Sequence, residues 1–358
     1  MDIEVWRAKG ILPNTEIMST DFVYQVDIFF CILYNLVEVL MTVRQRVLDI
    51  LESNRGDCLT GSRLAEMLGV TRSAINKAIS HLIDIGYAIN VSRRGYMLEE
   101  SISVLTDSGI ARYLHTPIPY TLHEEVTSTN DLAKRAGIFG EGGQVVIASS
   151  QTAGRGRRGR EFFSSKGSGI YLSILLRPHM SAQDTLGLTT MTAVSVVDAI
   201  RSETGIESGI KWVNDVYVDG LKVSGILTEA GYGIETGSVD YVVIGVGINI
   251  STPRGDYPTS IRGIAGALFD IPPREVANRL TARVIDNILE GYRRMSEGDY
   301  SHVERYRQSS ILIGRRVSLP DGEEVVVQDI DDKCALVVQH LDGSITRLSS
   351  GEVSVRLI

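Results

Sequence analysis

Between residues 42 and 100 the apolar side chains recur first with the period of a helix and then with that of a strand. Spacings of three and four residues place one group on a single helix face: Val43, Val47, Leu48 and Leu51. A shorter helix that begins at Ser62, a turn at Gly69 and a third helix with Thr71 as its N-cap follow. This order and spacing predict a helix-turn-helix.

The third helix is predicted to have a buried face and an exposed polar face. Its spacing buries Ile75, Ile79 and Leu82 and exposes Arg72, Ser73, Asn76 and Lys77. A hairpin follows, with Arg93 and Arg94 at its tip. Recognition helices present such side chains to base edges and phosphates, so we expect a winged helix-turn-helix over residues 42–100 that binds DNA. A helical packing or dimerisation module is the alternative interpretation.

Residues 101–310 mix the periods of strands and helices. The pattern predicts strands over 144–149, 170–176, 209–213, 223–229 and 241–250, and helices near 129–136, 184–203, 274–296 and 301–309. Asp219 and Gly220 mark a tight hairpin turn. Because strand and helix do not alternate regularly, we expect a multidomain chain whose central α+β domain has a mixed sheet with helices largely on one side. Short strands over residues 311–358 predict a small SH3-like β-barrel.

The segment over residues 1–41 carries no recognisable motif. Its apolar run from Ile28 to Leu40 is shorter than the roughly 20 residues that cross a bilayer, and Asn35 and Glu38 interrupt it. Acidic residues stand where a secretory signal has basic ones. We therefore expect neither a membrane span nor a signal peptide, and we treat residues 1–41 as an extension of unknown role.

Composition narrows the classes of function. The chain has 358 residues, of which 43% are hydrophobic and 22% charged, which is typical of globular domains. A net charge of -8 excludes a protein that coats nucleic acid through bulk positive charge, although a local basic face remains compatible with it. Cys31, Cys58 and Cys334 lie far apart, which favours neither a disulfide framework nor a zinc site. The cytosol is the expected compartment.

Positive charge is concentrated in one loop of the central region, the sequence GRGRRGR from Gly154 to Arg160. Glycines let the backbone approach an anion closely, and guanidinium groups donate paired hydrogen bonds to phosphate or carboxylate. The segment lacks the GxxxxGK[ST] pattern of a P-loop and the helix-opening GxGxxG of a dinucleotide site. It predicts an anion-binding loop, with a flexible basic loop on nucleic acid as the alternative.

Four further blocks contain polar residues, and the last two also contain glycine: TSTND at Thr127–Asp131, KWVNDVY at Lys211–Tyr217, KVSGIL at Lys222–Leu227 and GVGIN at Gly245–Asn249. With the arginine loop, they closely resemble the bifunctional biotin–protein ligases and biotin-operon repressors. The resemblance covers about residues 42–358. The combination of the arginine loop with the KWxND and KxxG blocks is highly specific for this family.

The resemblance implies which residues bind the two substrates, biotin and ATP. Around biotin it implies Ser128, Thr129, Asn130, Gln151, Gly154, Arg155, Arg157, Lys222 and Gly225. Around ATP it implies Arg157, Arg158, Arg160, Phe162, Lys211, Asn214, Asp215, Asn249 and Arg315. Two positions depart from the family. Phe162 stands where a tryptophan is usual, so a ring can still stack on adenine but the indole N–H is lost. Ser164-Ser165 replaces serine-proline, and the sequence offers no interpretation of this change.

The reaction implied by the resemblance has two steps. The carboxylate of biotin attacks the α-phosphorus of ATP and gives biotinoyl-5'-AMP and pyrophosphate, and a lysine of a biotin carboxyl carrier protein then displaces AMP. Negative charge grows on the phosphate during the reaction, so fixed cations and Mg²⁺ are the expected catalysts. We expect catalytic roles for Arg157, Lys211, Lys222 and Asp215, the last either holding Mg²⁺ or helping to deprotonate the amine.

The resemblance also implies operator DNA as a partner and a homodimer that forms when ligand is bound, with biotinoyl-5'-AMP as co-repressor. Two other functions stay open. One is a ligand-sensing transcription regulator without ligase activity, which the intact arginine loop disfavours. The other is a lipoate–protein ligase, for which a different arginine-rich block containing Gly-Gly-Gly would be expected.

Overall fold

The computed structural model describes residues 42–349 except 55, 85–86, 88, 99–104, 141, 179–184, 233–238 and 274, together with residues 356–357. The predicted extension over residues 1–41, with its apolar run and Cys31, lies outside this part. The chain forms two compact units, which divide near Leu98. Across the described residues, none of the helices has the length and apolar character that a bilayer span requires.

The described part of the N-terminal unit, from residue 42 onward, contains three helices and a hairpin. Its elements are α1 (Val43–Ser53), α2 (Gly61–Leu68), α3 (Arg72–Asp84), β1 (Ile89–Ser92) and β2 (Gly95–Leu98). Gly69 ends α2 in the left-handed conformation, with φ 64°, and the Thr71 hydroxyl accepts from the Ala74 N–H at the start of α3. The predicted faces of α3 are correct, because Ile75, Ile79 and Leu82 are buried. The helix-turn-helix is confirmed.

The larger unit is built on a seven-stranded sheet with the order β3-β4-β5-β9-β8-β7-β6. Its strands are β3 (Tyr120–His123), β4 (Gln144–Ala148), β5 (Gly169–Leu176), β6 (Gly209–Lys211), β7 (Asp215–Val218), β8 (Leu221–Tyr232) and β9 (Val239–Asn249). Strands β3 and β4 are parallel and the other neighbours are antiparallel. The predicted mixed sheet is therefore confirmed.

Helices cover the two faces of this sheet unequally. They are α4 (Asp107–Tyr113), α5 (Thr129–Ile138), α6 (Thr185–Thr204), α7 (Val276–Ser296) and α8 (His302–Gln308). One face belongs to a large apolar core that includes residues of α6 and α7. On the other face α5 packs against a much smaller group: Ala133, Val146, Leu175 and Val243. Because side chains alternate along a strand, adjacent residues serve different faces.

A small antiparallel sheet follows, with the order β13-β12-β11-β10-β14. Its strands are β10 (Arg316–Ser318), β11 (Glu324–Ile330), β12 (Leu336–Gln339), β13 (Ile345–Leu348) and β14 (Arg356–Leu357). The indole N–H of Trp212 donates to the carbonyl of Cys334 over 3.0 Å, which ties the two sheets together. Trp212 is 5% exposed and belongs to the core.

Candidate active site

The arginine loop is a tight hairpin. Its stem is closed by backbone hydrogen bonds from Gly156 N to Arg160 O (2.7 Å) and from Phe162 N to Gly154 O (2.9 Å). Positive φ angles at Arg158 and Gly159, 59° and 71°, turn the chain at the tip. A Cβ on Gly154 would lie 2.5 Å from the Phe162 carbonyl oxygen and from the Ser164 hydroxyl, so only glycine fits there.

Polar side chains anchor the base of this hairpin to the start of α5. The carbonyl oxygen of the Gln151 side chain accepts from the Thr129 backbone N–H over 2.9 Å. Its amide group donates to Ser164 Oγ over 2.9 Å, and Ser164 in turn donates to the carbonyl of Phe162. Ser164 belongs to the Ser164-Ser165 pair for which the sequence offered no interpretation. In the structure it links Gln151 to the arginine loop.

A cavity lies between this hairpin, α5 and strands β8 and β9. Many residues predicted to bind biotin or ATP line it together: Ser128, Thr129, Asn130, Gln151, Arg155, Arg157, Phe162, Asn214, Lys222 and Gly225. They come from loops and strands that are far apart in the sequence. The structure thus assembles most of the predicted site around one space.

Glycines form the floor of this cavity below the ring of Phe162. A Cβ at Gly247 would lie 2.4 Å from that ring, and one at Gly225 would lie 3.1 Å from it. Tyr171 meets Phe162 edge to face, with 6.3 Å between ring centroids. The ring of Phe162 therefore lies directly against the backbone at Gly247 and Gly225, where any residue larger than glycine would displace it.

Arg157 reaches the cavity from the hairpin tip and is held there by Asn214. The guanidinium donates to Asn214 Oδ1 over 3.2 Å. The side-chain NH₂ of Asn214 donates to the backbone carbonyl of Ile226 over 2.8 Å, and the backbone carbonyl of Asn214 accepts from the Ile226 N–H. Burial lowers the pKa of Arg157, and the Asp215 carboxylate nearby acts in the opposite direction. The KWVND block thus orients the arginine.

Asp215 and Lys222 form an ion pair on neighbouring strands, with 2.6 Å between Oδ1 and Nζ. About a quarter of each side chain is exposed. The ammonium group of Lys211 lies 5.6 Å from the centre of the Tyr217 ring. Burial, with a smaller contribution from Asp215, raises the pKa of Tyr217 to about 12, so its phenol is neutral at physiological pH. Asp215 therefore lies near Arg157, with Lys222 paired to it from β8 and Lys211 opposite it on β6.

Other predicted site residues lie elsewhere. Arg158 and Arg160 are exposed on the hairpin. Arg155, unlike these two, lines the first cavity and pairs with Asp131 over 2.7 Å. Asn249 is 4% exposed and donates to the carbonyl of Gly266, and Arg315 lines a second cavity beside Tyr217. The last two therefore do not border the first cavity.

Three residues near the cavity were missing from the sequence prediction. Ser173 is a polar residue within a buried strand, which was a usable sign of a special role. Glu229 on β8 pairs with Lys134 on α5 and accepts from Asn130. These contacts join residues of different strands and a helix that are far apart in the sequence, so no local sequence pattern predicts them.

Metal ligands are sparse. Over the part of the chain that the structure describes, no group of three His, Cys, Asp or Glu side chains could hold a metal ion. Among the residues of the predicted site, Asp215 contributes a carboxylate that already contacts Lys222. The protein alone therefore offers a divalent ion one carboxylate here, and the phosphates of a nucleotide would have to supply other ligands.

The predicted DNA-binding side chains of the N-terminal unit are all exposed: Arg72, Ser73, Asn76, Lys77, Arg93 and Arg94. The last two form the turn between β1 and β2. The hydroxyl of Tyr96 on β2 donates to Asn76 Oδ1 over 2.6 Å. This contact ties the hairpin to the exposed face of α3 and fixes the side-chain amide of Asn76.

Comparison with known families finds a match in three parts of the chain. The biotin/lipoate A/B protein ligase family matches residues 123–249. An HTH domain matches residues 43–97, and the biotin protein ligase C terminal domain matches residues 312–356.

Individual relatives extend this likeness over nearly the whole length. The bifunctional ligase/repressor BirA of Escherichia coli is 32% identical over 84% of this chain and 94% of its own. BirA of Bacillus subtilis is 34% identical over 69% of this chain and 76% of its own. A solved biotin protein ligase from Aquifex aeolicus in complex with biotin and ATP has 26% identity and a TM-score of 0.56, covering 67% of this chain and 99% of that one.

Proposed function

The chain belongs to the family of bifunctional biotin–protein ligases and repressors, and on that premise we propose that its first cavity is where biotin and ATP react. The protein is a biotin–protein ligase that also carries a helix-turn-helix repressor domain. The role proposed for each residue depends on where it lies relative to that cavity.

The observation that carries the proposal is the grouping of cations around one cavity with a glycine floor. Arg157 and Lys222 both line it, and both are held by partners in the KWVND block. Two anions must meet in the first step, the biotin carboxylate and the α-phosphate of ATP. Fixed positive charges reduce their repulsion and stabilise the charge that develops in transit.

Biotin is proposed to lie against the start of α5, between Ser128, Thr129, Gln151 and the glycine floor. Its carboxylate then points toward Arg157, from which it attacks the α-phosphorus and expels pyrophosphate. The adenine ring is proposed to stack on Phe162. No protein nucleophile takes part, so the site accelerates the step by orientation and electrostatics, and orientation alone can recover roughly 7–11 kcal/mol of a barrier.

In the second step the amine of a carrier lysine attacks the acyl carbon of biotinoyl-5'-AMP and AMP leaves. Asp215 is proposed to receive the proton from this amine or to orient it. Lys222, which pairs with Asp215 at 2.6 Å, then stabilises the phosphate of the departing AMP. Arg158, Arg160, Lys211, Asn249 and Arg315 are proposed to act on the phosphates, ribose or base from positions outside the first cavity.

Mg²⁺ fits this arrangement with Asp215 as its one protein carboxylate. When bound, it would neutralise phosphate charge and favour departure of pyrophosphate. Mg²⁺ commonly binds through one or two carboxylates together with substrate phosphates, so a dedicated cluster of acidic residues is not required.

The N-terminal unit is proposed to be a winged helix-turn-helix with the β1–β2 hairpin as its wing. Exposed Arg72 and Lys77 would contact phosphates, Asn76 and Ser73 base edges, and the arginine turn of the hairpin the backbone. We further propose a homodimer that forms when biotinoyl-5'-AMP is bound and recognises a two-fold symmetric operator. The C-terminal five-stranded sheet is proposed to be an SH3-like barrel that helps to receive a biotin carboxyl carrier protein.

Mass spectrometry of a purified biotin carboxyl carrier protein tests the ligase activity on its acceptor. The full chain with ATP, Mg²⁺ and biotin should add one biotinoyl group to one lysine, and a tenfold excess of lipoate should neither compete nor be transferred. Transfer of lipoate with equal efficiency would replace this proposal by a lipoate–protein ligase, and no transfer of either would leave a ligand-sensing regulator.

A further inference from the structure

Behind the cavity wall, a chain of hydrogen bonds runs from α5 to the neighbouring strands. Lys134 donates to one oxygen of the Glu229 carboxylate, and the Asn130 amide group donates to the other over 2.8 Å. Asn130 Oδ1 accepts from the Ser173 hydroxyl over 2.6 Å. That hydroxyl oxygen lies 2.7 Å from Thr129 Oγ1. Thr129 and Asn130 line the cavity, whereas Glu229 and Ser173 do not.

The chemistry of these groups gives the chain one direction. An ionised carboxylate only accepts, so the NH₂ of Asn130 must face Glu229 and its oxygen must face Ser173. The single proton of Ser173 is then used on Asn130. The Thr129 hydroxyl consequently sends its own proton inward, either to Ser173 Oγ at 2.7 Å or to Gln151 Oε1 at 3.2 Å. Its lone pairs remain for a ligand in the cavity.

The side chains of this hydrogen-bond network are closely packed. A Cβ at Gly245 would lie 2.1 Å from Asn130 Oδ1, so the side chain fills the space that the glycine leaves. Asn130 is 4% exposed, Thr129 3% and Ser173 0%. Water therefore has little access to the bonds among Thr129, Asn130 and Ser173, whereas about a quarter of the Glu229 side chain is exposed. A mismatch of donors or acceptors in the buried part would be costly.

We propose that Glu229 is a positioning residue that makes Thr129 a hydrogen-bond acceptor toward the cavity and thereby selects a ligand whose head group donates an N–H. This inference rests on the proposed function, which puts biotin in the cavity. The cyclic urea of biotin has two N–H donors, whereas the dithiolane ring of lipoate has none. Glu229, which does not line the cavity, would thus contribute to the choice between these two acids.

Glu229→Gln reverses the direction of the network with almost no change in shape. Lys134 would keep one oxygen, but the new NH₂ would oppose that of Asn130, which would turn over. Ser173 would then donate to Thr129 and occupy a lone pair of the Thr129 oxygen that otherwise accepts from the incoming N–H. We expect the Kd for biotin, measured by calorimetry on the full chain, to rise about 10- to 100-fold. The KM for ATP in pyrophosphate exchange should stay within twofold.

Two further variants separate polarity from general damage. The double variant Asn130→Asp with Glu229→Gln restores a group that only accepts beside Ser173, so biotin affinity should recover at least tenfold over Glu229→Gln alone. Glu203→Gln is the matched control, because Glu203 is a similarly enclosed carboxylate that pairs with Arg279 and Arg283 away from the cavity. It should leave the Kd for biotin unchanged.

The outcomes distinguish this inference from the proposed function. Unchanged biotin affinity in Glu229→Gln, in a wild-type background that binds biotin, overturns the role of Glu229 alone. Failure of the double variant to recover affinity does the same, because a merely structural defect would not respond to restored polarity. A wild-type protein that neither binds biotin nor exchanges pyrophosphate in its presence overturns the proposed function itself.

Discussion

The two faces of the central sheet use the same strands for different purposes. Ile174 and Ile244 have no exposed surface and belong to the core that includes residues of α6 and α7. Their neighbours Ser173 and Gly245 face the other way, where Asn130 packs against both. Side chains one residue apart therefore either stabilise the fold or shape the site. Mutations at adjacent positions of one strand should therefore affect either the stability of the fold or the chemistry of the cavity.

The largest effect is expected on the polar face. Lys222→Ala removes a cation that lines the cavity but little core volume, so biotin-dependent pyrophosphate exchange should fall at least about 10³-fold. The free energy of unfolding by urea should change by less than about 1 kcal/mol. Lys333→Ala changes an exposed lysine in the turn between β11 and β12; it serves as the control and should exchange normally. Near wild-type exchange in Lys222→Ala would remove Lys222 from the proposed mechanism.

Two adjacent residues on β9 sharpen the contrast. Ile244→Ala leaves a cavity in the core and should lower the free energy of unfolding by roughly 3 kcal/mol, with the KM for biotin unchanged. Gly245→Ala puts a Cβ 2.1 Å from Asn130 Oδ1 and should raise the KM for biotin at least about tenfold, because the amide must move. Urea titrations and exchange kinetics on both variants measure the pair. Equal effects of both variants on the KM for biotin would contradict the separation of stability and chemistry between the two faces of the sheet.

The apolar side also carries a pH response of its own. His302 on α8 is 3% exposed, and burial, aided by Arg305, lowers its pKa to about 4. In the unfolded chain this histidine titrates near its ordinary pKa of about 6.5. As the pH falls, the unfolded state therefore binds the proton before the folded state does. The free energy of unfolding should therefore drop by roughly 2–3 kcal/mol from pH 7 to pH 4 through this group. His302→Gln should flatten that part of the profile, and an unaltered slope would contradict it.

The smallest effects are expected in the N-terminal unit, which holds no part of the cavity. Asn76→Ala should relax the preference for particular base pairs at a cost of about 1–3 kcal/mol, and Tyr96→Phe should act in the same direction because it releases the Asn76 amide. Arg93→Ala should weaken binding to all sequences alike and reduce its salt dependence. Fluorescence anisotropy with operator variants measures these changes. All three proteins should ligate biotin normally, and a ligation defect would link what the comparison separates.

The elements with a clear period were predictable from the sequence alone. The strand expected over 170–176 runs from Gly169 to Leu176, and the helix expected near 184–203 runs from Thr185 to Thr204. Strand β3 and helix α4 were missed because four and seven residues carry too little periodicity to recognise. Short elements of this kind are defined by their neighbours, here through the pairing of β3 with β4.

The site divides in the same way. Residues within a compact motif, such as Arg157 in the glycine-rich loop, were found because their chemistry is visible locally. Glu229 was not, because its importance depends on contacts with Asn130 and Lys134 across the sheet. Asn249 is a different case, because its motif indicated an ATP contact and its side-chain amide donates to the Gly266 carbonyl, so its part in nucleotide binding stays a prediction. Partners brought together by strand register cannot be read from spacing along the chain.

Exchange of labelled pyrophosphate into ATP by the full chain measures directly whether biotin is activated in the first cavity. With biotin present, label should enter ATP, and omission of biotin or its replacement by lipoate should abolish incorporation. Arg157→Ala should reduce it at least about 10²-fold while the protein stays folded. Incorporation that is independent of biotin, or undiminished in Arg157→Ala, would contradict the account of this cavity as the place where biotin is activated.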